Sequence, residues 1–348
     1  MAKLGDVCEI LDSKRVPITA SNRKAGIYPY YGANGIQDYV DDYLFDDELV
    51  LLAEDGGHFG STEKPIAYRV SGKCWVNNHA HVLKPKDGLD VDYLCYSLMF
   101  RDVTNIVNGA TRQKLTQADM KQIDIFLPSI DEQHEIVDRI TRIFKLISLR
   151  KQQLLKLDEI VKSRFIELFG DPITNSKNLP TERMELRFNL KAGITTATEN
   201  IHNFEEGKFE VPCYGGNGIR GYVEEKSYSG NYPIIGRQGA LCGNVQYATG
   251  DFHATEHAVL VSLLKDDNTI WVYYLLKLMD LFRFHTGAAQ PGLAVKTLNT
   301  VDVIIANREL QNQFATFVEQ TDKSKLAIQQ SLEKLETLKK SLMQQYFG

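Results

Sequence analysis

The sequence predicts an α+β protein with two mixed α/β domains, each followed by a long helix, and an approximate internal two-fold relationship. The first observation is a repeat: residues 28–40 (YPYYGANGIQDYV) return as residues 211–223 (VPCYGGNGIRGYV), 183 positions later. Residues 109–115 return at 287–293, and the shift of 178 then holds to the Phe-Gly ends at 169–170 and 347–348. A period this long indicates a duplicated domain rather than a solenoid, whose units run to roughly 20–50 residues.

Each copy begins with short strands and turns and ends with one closing strand. The strands predicted for the first copy span residues 48–53, 66–70, 75–83 and 123–127, with a short helix near 91–101 and a polar loop at 108–116. Those predicted for the second copy span 232–235, 244–247, 257–264 and 301–305, with a helix near 270–284 and a loop at 287–296. Asn34-Gly35 and Asn217-Gly218 predict hairpin turns of type I′.

After each closing strand the apolar residues recur every three or four positions. In the first copy this seam includes Ile140, Ile143, Ile147, Leu154 and Leu157, and neither helical stretch contains Pro. The pattern predicts two long helices with a narrow apolar face, which bury each other as an antiparallel coiled coil. We therefore expect four segments, namely domain 1–129, helix 130–170, domain 171–307 and helix 308–348.

Composition limits the class of protein. The chain has 43% apolar and 24% charged residues, no apolar run long enough to span a membrane, and no apolar leader after Met1, so we expect a cytoplasmic globular protein with no membrane partner. Its five cysteines form no CxxC pair, which predicts reduced thiols rather than a zinc site. A net charge of −5 argues mildly against binding nucleic acid alone.

Three motifs suggest catalysis, and each has a simpler interpretation. His253-Ala-Thr-Glu-His257 matches the inverted zinc-protease pattern, but it leads into an apolar stretch typical of a buried strand. Residues 216–221 match GxGxxG without the strand–helix context of a dinucleotide site, and a hairpin turn explains them better. Residues 224–226 (EEK) resemble the end of a nuclease motif but lack an upstream aspartate. We expect a non-catalytic chain with no metal and no cofactor.

One segment identifies a family resemblance. A globular domain ends with residues 115–128 (LTQADMKQIDIFLP). Glu132-Gln133 then begins a long helix, and that helix ends in Phe-Gly. The same order of domain, helix and Phe-Gly end occurs in both copies. The chain resembles the specificity subunit of Type I restriction–modification systems over essentially its whole length. In the second copy the 127–133 motif is degraded to IANRELQ, and only its final Gln keeps its place.

The resemblance implies a DNA-binding subunit without a catalytic centre. Residues 1–129 and 171–307 would be target recognition domains, each reading one half of a bipartite sequence in double-stranded DNA. The two long helices would act as a spacer and bind two copies of a methyltransferase (modification) subunit that methylates adenine. A restriction subunit would join that complex for cleavage. Two alternatives stay open here: the specificity subunit of a related two-subunit Type II system, and a bilobed metal-dependent hydrolase using His253 and His257.

The polar loops supply the candidate DNA contacts. Arg and Lys read guanine edges in the major groove, and Asn and Gln read adenine. Glycine-rich loops at 54–58 and 237–241 would let the backbone approach DNA closely. The predicted DNA-binding residues are Asn34, His58, Thr111, Arg112, Lys114, Asn217, Arg220, Arg237, Gln238, Gln290 and Lys296.

Overall fold

A computed structural model describes residues 1–109, 113–287 and 291–348. Contacts within the chain divide it into two units. Unit 1 consists of Met1–Lys151 and Gln330–Gly348, and unit 2 consists of Gln152–Gln329. The division falls inside both long helices, so each helix contributes one end to each unit. In the described residues, no helix combines the length and apolar character that crossing a bilayer requires.

Unit 1 is built on a six-stranded sheet. Its strands are β1 Ala2–Lys3, β2 Cys8–Ile10, β3 Ala25–Gly32, β4 Gly35–Val40, β5 Phe45–Ala53, β6 Ala67–Val76, β7 Ala80–Pro85 and β8 Asp124–Ile125. Its helices are α1 Leu4–Val7, α2 Val91–Met99, α3 Gln117–Lys121 and the start of α4, Ile130–Phe169. The sheet order is β2-β7-β5-β6-β3-β4, with β3 parallel to β6, while β1 pairs with β8. The core lies between α2 and β5.

Unit 2 repeats the plan with two four-stranded sheets. Its strands are β9 Thr181–Arg183, β10 Phe188–Ala192, β11 Val211–Gly215, β12 Gly218–Val223, β13 Tyr228–Ser229, β14 Tyr232–Gly236, β15 Val245–Ala248, β16 Asp251–Ala254, β17 Ala258–Leu263 and β18 Asp302–Ile304. Its helices are α5 Met184–Arg187, α6 Thr269–Leu278, α7 Val295–Asn299 and most of α8, Arg308–Phe347. The sheet orders are β10-β17-β14-β15 and β12-β11-β16-β13, and β9 pairs with β18.

The two units differ in sheet number at one pair of equivalent glycines. Gly72 has φ +72° and Gly250 has φ +74°, conformations that glycine adopts without the steric cost of a Cβ. In unit 1 the strand continues through Gly72, still paired with Asp47, so β6 joins β5 to β3 in one sheet. In unit 2 the ladder is interrupted at Gly250, where one backbone hydrogen bond from the Gly230 N–H remains, so β15 pairs with β14 in one sheet and β16 pairs with β13 in the other.

The long helices run antiparallel in each unit, as their apolar seam predicts. In unit 1, Arg139 donates to the Tyr346 hydroxyl at 3.1 Å, and Lys151 pairs with Glu336 at 3.0 Å. As the residue number rises along α4, the number of its partner on α8 falls. In unit 2, Lys325 pairs with Asp158 at 2.6 Å. The predicted seam residues Ile140, Ile143 and Ile147 are buried. The other two predicted seam residues, Leu154 and Leu157, are half-buried, and toward the end of α4 the buried side chains are Phe165 and Phe169.

Each Phe-Gly end packs on a short helix. Phe169, at the end of α4, makes an edge contact with Trp271 of α6, with ring centroids 5.8 Å apart. Phe347, at the end of α8, packs against Tyr93 of α2 at 5.3 Å. The helix that leaves the first copy therefore ends in the core of unit 2, and the helix that leaves the second copy ends against the core of unit 1.

Several predicted element boundaries were wrong. The strands predicted at 66–70 and 75–83 have other bounds, because β6 continues to Val76 and the turn between β6 and β7 falls at 77–79. The helix predicted near 270–284 ends at Leu278, and Asp280 begins a separate 3₁₀ turn at φ +48°. The loop predicted at 287–296 gives way to α7 at Val295.

Both predicted hairpins form, but their turns are not of type I′. The strands pair up to Gly35 and Gly218, which have φ of +106° and +98°. Asn34 and Asn217 lie in the two-residue loops without positive φ. The glycine alone takes the left-handed conformation, one position later than a type I′ turn requires.

Candidate nucleic-acid interface

Backbone hydrogen bonds bring the candidate loops of unit 1 to one place. The N–H of Glu54, at the end of β5, donates to the carbonyl of His79 at 2.9 Å. The N–H of Leu115 donates to the carbonyl of Glu54 at 2.7 Å, and that of Gly56 donates to the carbonyl of Gln113 at 3.3 Å. The end of β5, the turn before β7 and the loop 108–116 therefore form a continuous rim.

Unit 2 has the same hydrogen bonds at equivalent positions. Arg237 donates to the His257 carbonyl at 3.0 Å, Leu293 donates to the Arg237 carbonyl at 2.8 Å, and Gly239 donates to the Pro291 carbonyl at 2.9 Å. This matching places Arg237 at the position of Glu54. The backbone of the rim is conserved between the copies while the charge of a key side chain is reversed.

The hairpin turns join these rims. In unit 1, the Asn34 amide donates to the Gly56 carbonyl at 3.0 Å. In unit 2, the Asn217 oxygen accepts from the Asn244 amide at 2.5 Å. Both asparagines are exposed, so each still has hydrogen-bonding capacity for a ligand.

A cluster of opposite charges lies behind the rim of unit 1. Glu54 is 9% exposed and pairs with Arg15 at 2.6 Å and with Lys114 at 2.9 Å. Buried His81 has Nδ1 at 2.6 Å from Asp12 Oδ2 and Nε2 at 2.9 Å from the Leu115 carbonyl. Both ring nitrogens face oxygen acceptors, so both are positioned to donate. This network fixes the loop that carries Lys114.

Hydrogen bonds outweigh burial for the two carboxylates. Burial by itself would raise the pKa of Asp12, but hydrogen bonds from His81, the Val82 N–H and Gln117, with the positive field of His81, lower it. Burial also opposes the ionisation of Glu54, and its bonds to Arg15 and Lys114 lower its pKa. Both groups are therefore held as carboxylates.

This cluster also has the ligand types of a metal site. The possible ligand atoms of Asp12, Glu54 and His81 lie within 4.8 Å of one another. Among the described residues, this is the group of three acidic, histidine or cysteine side chains close enough to hold a metal ion. Arg15 and Lys114 already bring two cations to Glu54, and both nitrogens of His81 are engaged. The cluster is better suited to ion pairing within the protein than to holding a metal ion.

In unit 2 the described residues do not form the equivalent network. The shift of 178 places Val259 where His81 stands and Gly292 where Lys114 stands, and Gly292 makes the same pair of backbone bonds, with Thr286, that Lys114 makes with Asn108. Among residues 171–287 and 291–307, the ion pairs of the first rim consequently have no counterparts. The two rims share a scaffold and differ in chemistry.

The remaining predicted contacts lie on or beside these rims. Arg220 is exposed on β12 and donates to Thr198 Oγ1 at 3.0 Å. Gln238 is exposed next to Arg237, and His58 is half-buried in the loop that follows Glu54. Lys296 is exposed but lies in the first turn of α7 rather than in a loop. Three predicted contacts lie outside the described residues: Thr111, Arg112 and Gln290.

The inverted zinc-protease pattern does not have the geometry that its chemistry needs. His253 lies in β16, where its Nε2 is 2.8 Å from Thr196 Oγ1, and burial lowers the pKa of its ring. His257 follows the strand, with Nε2 at 3.2 Å from Glu256. The pattern requires both histidines on one face of a helix. The hydrolase alternative is therefore not favoured.

Comparison with known proteins identifies the family. The Type I restriction modification DNA specificity domain matches the chain twice, over residues 1–159 and 180–339. The chain belongs to this family. The resemblance seen in the 115–133 motif is confirmed, and each copy contains one specificity domain.

Two curated relatives share part of the sequence. The Type I restriction enzyme EcoprrI specificity subunit of Escherichia coli is 38% identical over 175 residues, which cover 50% of this chain and 42% of the relative. A putative type I restriction enzyme specificity subunit of Haemophilus influenzae is 39% identical over 145 residues, covering 42% and 37%. Each match therefore spans less than half of the relative's length.

Solved structures share the fold of both specificity domains and helices. The Type I restriction–modification S subunit of M. genitalium superposes with a TM-score of 0.68 at 17% identity, over 99% of this chain and 95% of that one. A chain from a study of assembly and conformational transition of the type I restriction–modification system gives a TM-score of 0.57 at 14% identity, covering 99% and 96%. At these identities the likeness establishes the fold.

Sequence reasoning missed part of the rims of the specificity domains. It did not select Arg15, His81, Thr255 or His257 as rim residues. A signal was available for the last two, because residues 75–79 and 253–257 align in the repeat and lie next to the glycine-rich loops in both copies. No local pattern marks Arg15, which reaches Glu54 from 39 positions away.

Proposed function

We propose that this chain is the DNA-binding specificity subunit of a Type I restriction–modification complex. Each rim reads one half of a bipartite sequence, and partner subunits carry out adenine methylation or cleavage. The observation that carries the proposal is the double match to one specificity domain on a chain whose two copies differ in the side chains of the rim. Two identical readers would suit a palindrome, and two different readers suit a sequence with unlike halves.

The division of labour follows the four segments expected from the sequence. Residues 1–129 and 171–307 act as recognition domains, and residues 130–170 and 308–348 act as spacer helices. The helices expose large apolar side chains, including Leu149, Leu155 and Ile160, to which two modification subunits could bind. A restriction subunit would join this complex, which would act in the cytoplasm where its DNA is.

The chain itself would carry no catalytic centre. Its acid–base cluster, Asp12 with Glu54 and His81, is occupied by internal ion pairs, and His253 and His257 lie on or beside a strand. The net charge of −5 means that phosphate contacts must be concentrated locally or supplied by partners. Both points support a recognition subunit that depends on others for chemistry and for part of its affinity.

A domain exchange tests the proposal. Residues 1–129 are replaced by the matching domain of a relative, and the chain is assembled with its modification subunit. We expect one half of the methylated sequence to change and the other to stay. Sequencing of methylated adenines gives the result, and exchange of residues 171–307 is the reciprocal control. A change in both halves, or in neither, would contradict the assignment of one half-site to each domain.

A further inference from the structure

The second rim contains buried polar atoms without partners. Thr255 is fully buried, and its Oγ1 makes no hydrogen bond within the described chain. The same is true of Arg237 Nε and of His257 Nδ1. Buried polar atoms are nearly always paired in folded proteins, since an unpaired one has lost its bonds to water. Three such atoms on adjacent segments point to a group that is supplied from outside.

The equivalent atoms of the first rim are all satisfied. Glu54, at the position of Arg237, pairs with Arg15 and Lys114. Asn77, at the position of Thr255, donates to Gln37 at 3.1 Å and accepts from the His79 N–H at 2.8 Å. His79 Nδ1, at the position of His257 Nδ1, lies 2.7 Å from Asp55. At equivalent backbone positions, the polar groups of the first rim are therefore paired and those of the second rim are unpaired.

Of the three residues with unpaired atoms, His257 lines a cleft, and Arg237 and Thr255 lie next to residues that line it. Its volume is about 470 Å³, and its lining includes Gly215, Gly216, Asn217, Arg220, Gln238 and His257. Thr255 Oγ1 faces Gly215, lying 3.9 Å from where a Cβ on that glycine would stand. The glycine wall leaves backbone within reach of a ligand. Two arginines beside the cleft favour a ligand that is an acceptor of hydrogen bonds.

We propose that this cleft takes one acceptor group of DNA, either a phosphate oxygen or the O6/N7 edge of guanine, and that the three unpaired atoms, which are buried in the free protein, become accessible to it on binding. Arg237 donates to that group, and Thr255 and His257 complete its hydrogen bonds. The inference rests on the proposed function and adds an asymmetry to it. The second domain leaves these polar atoms unpaired in the free protein, whereas the first domain pairs the equivalent atoms through its own ion pairs and hydrogen bonds.

A stability measurement tests the site without DNA. Thr255→Val removes a hydroxyl that has no partner, so the melting temperature of unit 2 should stay the same or rise. The chain has two tryptophans, Trp75 in unit 1 and Trp271 in unit 2, so a Trp75→Phe background reports unit 2 alone. The matched control is Asn77→Ala read through Trp75 in a Trp271→Phe background, which should lower the melting temperature because Asn77 is bonded. A fall for Thr255→Val as well would show that its hydroxyl serves the fold, which would overturn the inference.

A second measurement identifies the acceptor. The full chain, assembled with its modification subunit, carries Arg237→Met, Thr255→Val or the control Arg183→Met, which removes an exposed charge outside the cleft. If the acceptor is a phosphate, Arg237→Met weakens binding about tenfold, reduces the slope of log K against log salt by about one, and leaves the methylated sequence unchanged. If it is guanine, one position of the second half-site loses its preference instead.

The outcomes separate the two proposals. In one outcome the wild-type complex methylates a bipartite sequence, and Arg237→Met and Thr255→Val change neither the affinity, nor the salt slope, nor the methylated sequence. That outcome would overturn the proposal that the cleft binds DNA and would leave the proposed function standing. A wild-type complex that selects no bipartite sequence would overturn the proposed function and the cleft together. Loss confined to the second half-site, or a uniform loss with a lower salt slope that Arg183→Met does not produce, supports the cleft.

Discussion

The side-chain oxygen of Gln311 accepts a 2.7 Å hydrogen bond from the backbone N–H of Asn268, which joins the first turn of α8 to the first turn of α6. The amide nitrogen of Gln311 donates to Asp267 at 2.8 Å and to the Ala306 carbonyl at 3.0 Å. In unit 1, Gln133 does the same for α4, accepting from the Asp90 N–H at 2.9 Å. Both glutamines are buried, with 1% and 0% exposure. This geometry explains why the glutamine alone keeps its place in the degraded motif.

Gln311→Ala should lower the free energy of unfolding of unit 2 by roughly 2–3 kcal/mol, because it removes hydrogen bonds from the part-buried Asn268 N–H and from the buried Asp267 carboxylate. Urea unfolding followed by Trp271 fluorescence in a Trp75→Phe background measures it. Gln313→Ala, an exposed position two residues along the same helix, is the control and should change little. Equal effects from the two substitutions would mean that the bond to Asn268 adds no stability.

The stability of unit 1 should fall below about pH 4 through Asp12 and Glu54. Their pKa values are lowered in the folded protein, so their contribution is present above the unfolded pKa and is lost as the pH falls through the folded pKa. Asp12→Asn should make unit 1 less stable at pH 7 and flatten the acid dependence. Urea unfolding at pH 7 and below about pH 4, followed by Trp75 fluorescence in a Trp271→Phe background, checks this. Exposed Asp6→Asn is the control, and an acid dependence as steep in Asp12→Asn as in the parent would contradict the assignment.

Arg112→Ala tests a loop contact predicted from the sequence. If Arg112 makes a bidentate contact to guanine, the substitution should weaken specific binding by about 1–3 kcal/mol and relax the preference at one position of the first half-site. If it contacts phosphate, the salt slope should fall by about one with the preference kept. Titration of the assembled complex at several salt concentrations separates the two. No change in affinity, slope or preference would remove Arg112 from the interface.

Residues 1–170 should dimerise when produced alone. In the full chain, Ile140, Ile143 and Ile147 of α4 are buried where α8 runs beside them. The fragment lacks α8, and an exposed apolar seam favours association with a second copy. Sedimentation measures the assembly, and with the modification subunit we expect methylation of a palindrome of the first half-site. A monomeric, folded fragment would show that the seam is covered within its own domain.

The long helices could be predicted from the sequence because their signal is local. Apolar residues at spacings of three and four, without Pro, determine a helix and its buried face whatever the partner is. The duplication was equally visible, since it needs only a comparison of the chain with itself. The break between β15 and β16 was not predictable, because Gly72 and Gly250 share a conformation and both are followed by paired residues; only the ladder at the glycine itself is interrupted in unit 2.

The sequence alone determined the duplicated organisation, the two long antiparallel helices and the family. Repeats, periodicity and motifs depend on the order of residues along the chain and need no knowledge of which residues meet in space. Only the tertiary structure decided which polar side chains meet. Arg15, Glu54, His81 and Lys114 come from four separate segments, and their ion pairs depend on strand order and loop approach. The unpaired groups around Thr255 were hidden for the same reason: whether a buried polar atom has a partner depends on residues far away in the chain.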